Sequence, residues 1–132
     1  MIATMEVRNL RATDRFPLPE TFPVGWNFDP DWLWVAVEDD TVAGAILAGP
    51  MHGIVMIQVV YIRPKFGFVL LRLFRTFLRD CARRGFHAYM GYVNIAKPEQ
   101  KKLLRIAVRA KGIAFTDPML CFGGALKDTL RW

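Results

Sequence analysis

Serine is absent from the 132 residues, and cysteine and histidine occur only twice each. The first absence excludes a covalent serine mechanism, and no Gly-x-Ser-x-Gly elbow or P-loop can be drawn. Cys81 and Cys121 are too few for a disulfide framework or a paired-cysteine zinc site. Both sit among apolar neighbours and read as small buried thiols, which fits a reducing compartment. His52 and His87 have no carboxylate or cysteine at metal-ligand spacing, so no metal site is expected. Long uncharged runs are scarce too. Val42 to Ile62 is long enough to span a bilayer, but Gly49-Pro50-Met51-His52-Gly53 interrupts it. Two β-strands around a turn explain it better, and no membrane association is expected. Glu6, Arg8, Arg11 and Asp14 deny the first residues the apolar centre of a signal peptide, so a cytoplasmic protein is expected.

What is present is uneven. Apolar residues make up 53% of the chain and charged residues 23%, a globular balance for one domain over residues 1–132. Residues 1–62 hold three basic and eight acidic side chains, whereas residues 63–111 hold thirteen basic and two acidic. So concentrated a positive segment points to an anionic partner: nucleic acid, a lipid surface or a phosphorylated cofactor. Two solvated helix faces would give the same count.

Alternation predicts a first strand over 4–9. Pro17, Pro19, Pro23 and Pro30 forbid a long helix over 14–31, while Phe16, Phe22, Trp26 and Phe28 supply anchors for a packed loop or a pair of short helices. Strands follow at 32–38 and 41–48 around an Asp39-Asp40 turn, then a turn over 49–53 and a long strand over 54–62. The period then lengthens. Arg72, Arg75, Arg79 and Arg83 recur every three or four residues opposite leucine and phenylalanine, predicting a helix over 68–84 with an exposed arginine stripe and a Gly85 cap. A strand over 86–93 follows. Pro98 and Glu99 open a second helix, which turns Leu103, Leu104, Ile106, Ala107 and Val108 inward and Lys101, Lys102, Arg105 and Arg109 outward. Closing strands are expected at 113–116 and 119–126. The class is α+β, and the strand–helix–strand unit from 54 to 93 implies a parallel pair. At its centre, Arg63-Pro64-Lys65-Phe66-Gly67-Phe68 leads from a strand into a helix N-terminus, an arrangement suited to anions.

Taken in order, several segments carry a resemblance: Met5-Glu6-Val7-Arg8 with Asp14; Trp34 to Gly44; Val60-Tyr61-Ile62-Arg63-Pro64; Gly85-Phe86 with Val93-Asn94; and Ala110-Lys111-Gly112 with Phe115. Their order and spacing resemble the GNAT superfamily of acyl-CoA-dependent N-acetyltransferases over nearly the full length. The resemblance implies a mixed β-sheet flanked by helices, acetyl-CoA as acyl donor, and a primary amine, on a small molecule or a protein, as acceptor. It implies that Val60, Tyr61 and Ile62 pair with the pantetheine arm. Arg63 and Lys65 to Phe68, with Phe66 and Gly67 between, would hold the diphosphate, and Asn94 would contact the pantetheine or thioester. Gln58 and Tyr92 are the polar side chains expected at the reaction centre, as orienting groups.

The chain departs from the family in three places. The family's diphosphate loop, Q/R-x-x-G-x-G/A, is reduced to Lys65-Phe66-Gly67-Phe68 with a single glycine. Val108 stands where the family's tyrosine acid usually lies, and Gln58 where the fourth strand often carries a glutamate base. These departures, with the small size, are similar to those of GNAT-like tailed-phage proteins. They open the alternative of a non-catalytic structural or binding protein, such as a virion or assembly component, self-associating or meeting a virion partner through its basic helices. Nucleic acid is not expected, because no aromatic residues interleave a basic strand.

Overall fold

The computed structural model describes residues 5–15, 29–93, 98–109, 113–115 and 120–126. The strands are β1 (Glu6–Asn9), β2 (Leu33–Glu38), β3 (Thr41–Met51), β4 (Ile54–Ile62), β5 (Ala88–Val93), β6 (Ile113–Phe115) and β7 (Leu120–Ala125). The helices are α1 (Leu70–Arg83) and α2 (Pro98–Arg109). One seven-stranded sheet runs in the order β1-β2-β3-β4-β5-β7-β6. Among its described strands the parallel pair is β4 with β5, joined through α1.

Two tight turns build the meander. Asp39 and Asp40 take φ of 49° and 61°, and His52 and Gly53 take 50° and 81°. Left-handed conformation at both central residues is the two-residue turn whose twist matches the flanking strands. The second turn is therefore shorter than the expected 49–53 loop. β3 runs on through Pro50 to Met51, with Pro50 opposite Val55.

α1 buries Leu70, Leu73, Phe74, Phe77, Leu78 and Cys81, spaced three and four apart. Arg72, Arg75, Arg79 and Arg83 are exposed as expected, but Leu71, expected on an apolar face, is 38% exposed. The α-helix begins at Leu70 rather than 68, because Gly67–Val69 form a 3-10 turn ahead of it. Gly85, at φ +93°, closes the helix: its amide donates to the Ala82 carbonyl and the Phe86 amide to Cys81. This closure spends the Phe86 amide, and the next strand begins at Ala88 rather than 86, leaving His87 just before it.

The far end of α1 is pinned to the sheet. Trp34 Nε1 donates to Asp80 at 2.9 Å, and the Arg84 guanidinium lies 4.7 Å from the Trp34 ring centre and 5.0 Å from that of Trp32. Both helices pack on one sheet face, over Trp34, Ile46, Val55, Ile57 and Val60. Each large side chain so buried stabilises the fold by roughly 1.5–3 kcal/mol. Leu33, Val35, Val37, Val42, Ala45 and Leu47 form a second cluster on the opposite face. No helix among the described residues is long and apolar enough to cross a membrane.

Candidate functional site

β4 keeps β3 as a neighbour to its end, with Ile62 opposite Gly44, and β5 keeps β7 through Val93 opposite Leu120. The two strands do not keep each other. Their pairing runs from Ile54 opposite Ala88 to Ile57 opposite Gly91 and stops. Val60–Ile62 and Tyr92–Val93 thus lie beyond the β4–β5 pairing.

The separation begins at an irregularity within β4. Leu47 pairs with Val59 and Ala48 with Ile57, so Gln58 is an extra residue on β4. A bulge of this kind bends its strand and raises the local twist. It also shifts the alternation: Val55 and Ile57 face the helices, and past the bulge Val60 does, while Val59 and Tyr61 turn to the other face. The only sequence signal was that slip of phase within Ile-Gln-Val-Val-Tyr.

Gln58 is exposed at the bulge, and its Nε2 lies 3.2 Å from where a Cβ on Gly49 would stand, so the amide leans towards β3. Tyr92 is placed by its backbone pairing with Cys121; its side chain lies outside the described residues, as does Asn94. Val60 is buried, whereas Tyr61 and Ile62 are half-buried.

The loop after β4 is compact. The Phe66 amide donates to the Arg63 carbonyl at 2.9 Å, with Pro64 and Lys65 between them and Lys65 at φ +73°. Proline followed by a left-handed residue is the pattern of a type II turn, whose third position usually takes glycine or asparagine. The Val69 amide donates to Phe66, which leaves the amides of Lys65, Gly67 and Phe68 without a backbone acceptor among the described residues. Arg63 and Lys65 are exposed. The Arg63 guanidinium stands 5.4 Å from the Phe66 ring centre, and the Phe66 and Phe68 rings lean together at 5.8 Å. Phe68 is 68% exposed and so does not fill the space between the strands.

One cation of α2 departs from its helical phase. Lys102, expected to point outward, is half-buried and donates from Nζ to the Gly67 carbonyl at 2.8 Å. It sits at the edge of the Leu103 and Ala107 stripe, where a long side chain can lie along the helix and reach a neighbouring loop. With Arg105, Ile106 and Arg109 it lines a surface concavity of about 230 Å³.

Other chemistry is limited. Burial pushes the Cys81 thiol up to about 12, so it holds no thiolate near neutral pH. Among the described residues, no three His, Cys, Asp or Glu side chains come close enough to hold a metal ion.

No protein-family model matches the chain, and no curated protein matches it by sequence. Solved structures do match. A putative acyl-CoA N-acyltransferase from Klebsiella pneumoniae superposes with a TM-score of 0.63 at 16% identity, over 81% of each chain. The PaiA N-acetyltransferase of Thermoplasma acidophilum in complex with coenzyme A gives 0.59 at 11% identity, over 70% of this chain and 59% of that one. A GNAT phosphinothricin acetyltransferase from Sinorhizobium meliloti in complex with AcCoA gives 0.55 at 15% identity, over 70% and 60%. This chain spans less than two thirds of the length of the two CoA-bound neighbours. Its fold is the α+β fold of the GNAT acyltransferases.

Proposed function

We propose that this chain is a GNAT-type acyltransferase that moves an acetyl group from acetyl-CoA to a primary amine. The observation that carries the reading is the parting of β4 from β5 at the Gln58 bulge. Past Ile57 this edge of β4 is not covered by β5 and leads to an exposed basic loop, and an extended amide-bearing chain can pair with such an edge as an added strand does. The residues present fit the donor: an open strand edge for the pantetheine arm, then amides and cations for the diphosphate.

When bound, acetyl-CoA supplies a thioester that an amine nitrogen attacks, forming an amide as the carbon–sulfur bond breaks and the amine proton passes through water to the departing thiolate. Val60–Ile62 align the arm along β4. Arg63 and the amides of Lys65, Gly67 and Phe68 neutralise its charged end. Gln58 is neutral and takes no proton; with Tyr92 it orients the reactants, and rate comes chiefly from holding them together. The eight acidic side chains of residues 1–62 favour approach of a cationic amine.

A second reading, a non-catalytic binding protein on this fold, draws on the short loop with its single glycine and three free amides. Thermal unfolding with acetyl-CoA at ten times its Kd tests the first reading. Stabilisation of about 1.4 kcal/mol is expected, a shift of roughly 5 °C. An unchanged curve at millimolar acetyl-CoA would remove the acyltransferase reading. Stabilisation without thiol release across a panel of primary amines would favour the second.

A further inference from the structure

We propose that Lys102 is a further cation that holds the diphosphate of coenzyme A beside Arg63, in place of amides that the shortened loop no longer offers; this rests on the acyltransferase reading. A diphosphate bridge carries two negative charges. The loop presents three free amides, from Lys65, Gly67 and Phe68, because the Phe66 and Val69 amides are spent on its own turns. Lys102 crosses from α2 to this loop and fixes one of its three N–H donors on the Gly67 carbonyl at 2.8 Å. The other two remain for a ligand.

Charge gives the stronger argument. Arg63 and Lys65 stand in the loop that leads towards α1, Lys102 reaches that loop from α2, and no described carboxylate pairs with any of them. The half-buried Lys102 ammonium meets a neutral carbonyl and no carboxylate among the described residues, so an anion at the loop would give its charge the partner that the fold does not supply. Gly67 points the same way. Its φ is not left-handed, and a Cβ there would meet only Lys102 Nζ at an ordinary 3.6 Å. The fold therefore does not demand glycine at 67, and its absence of a side chain leaves the loop backbone open to close approach beside the ammonium.

The test is calorimetric titration of the full chain with coenzyme A at low and moderate salt, comparing wild type, Lys102→Met and Lys102→Arg, with circular dichroism to establish that each variant is folded. Lys102→Met is expected to weaken binding at least tenfold at low salt, by a margin that shrinks as salt screens the missing charge, and Lys102→Arg to stay within threefold of wild type. Gly67→Ala is the second variant: its thermal unfolding is expected to be unchanged and its binding weaker. Lys102→Met binding within twofold of wild type would overturn the assignment and leave the acyltransferase reading standing. So would a loss that is equal at both salts and not restored by arginine, since that marks a structural tie. Wild type failing to bind coenzyme A would overturn both.

Discussion

Two groups of cations in this molecule are placed in opposite ways. Arg8, at the sheet edge, meets Asp14 through two parallel bonds of 2.7 and 2.9 Å and reaches Glu6 at 2.8 Å. The Asp14 side chain is wholly buried and also accepts from the Arg11 amide at 2.7 Å. Arg63, Lys65 and Lys102 have no carboxylate among the described residues, and Lys65 holds a backbone conformation that disfavours a side chain. The first group answers its charge within the fold. The second finds no such answer among the described residues. Charges that serve stability should therefore separate in experiment from charges that serve binding.

The largest effect belongs to Asp14. Asp14→Ala strands the Arg8 guanidinium, leaves the Arg11 amide without its acceptor, and is expected to cost about 2–3 kcal/mol in denaturant unfolding. Glu6 remains beside Arg8 and keeps the loss below that of a fully buried pair broken outright. A cost under about 0.5 kcal/mol would break the contrast, because Arg8 would then need no partner.

The same pair sets an acid dependence. The Arg8 hydrogen bonds hold the Asp14 carboxyl below its ordinary 3.8 against the opposing effect of burial, and the Arg11 amide helps. A carboxyl depressed in the folded state stabilises fully above its unfolded value and loses that contribution as pH falls through the folded one. Wild type should therefore lose stability progressively from about pH 4 downward. Asp14→Asn should be less stable at neutral pH and flatter below pH 4. Parallel curves for the two would show that other carboxylates govern acid unfolding.

Sequence periodicity reached most of the fold because the decisive residues act over short range. The stripe of Leu70, Leu73, Phe74, Phe77, Leu78 and Cys81 needs only its own spacing to be read as a buried helix face. Asp39-Asp40 and Gly85 mark their turns by local backbone preference. The Gln58 bulge was hidden because it is a relation between β4 and β3, and an isolated strand of apolar residues does not state its register. Lys102 was hidden for a similar reason: helical phase places its Cα at the edge of the buried stripe, but not the end of a four-carbon side chain. The open loop could be suspected from Pro64 and Gly67, whereas the strain at Lys65 needed the turn to be seen.

The smallest effect, and the sharpest form of the contrast, is at Lys65. A non-glycine residue at φ +73° carries roughly 1–2 kcal/mol of backbone strain. Lys65→Gly relieves it, while the freer unfolded chain takes back about 0.4–1 kcal/mol. The removed charge is exposed and pairs with no described carboxylate, so nothing stabilising is lost with it, and repulsion from neighbouring Arg63 eases. The net expectation is a gain of up to about 1.6 kcal/mol in unfolding, together with weaker binding of coenzyme A. Stability and affinity would then move in opposite directions at one residue, as strain kept for a ligand requires. Loss of more than about 0.5 kcal/mol, with affinity unchanged, would place Lys65 beside Arg8 as a cation of the fold, and the contrast between the two groups would fail there.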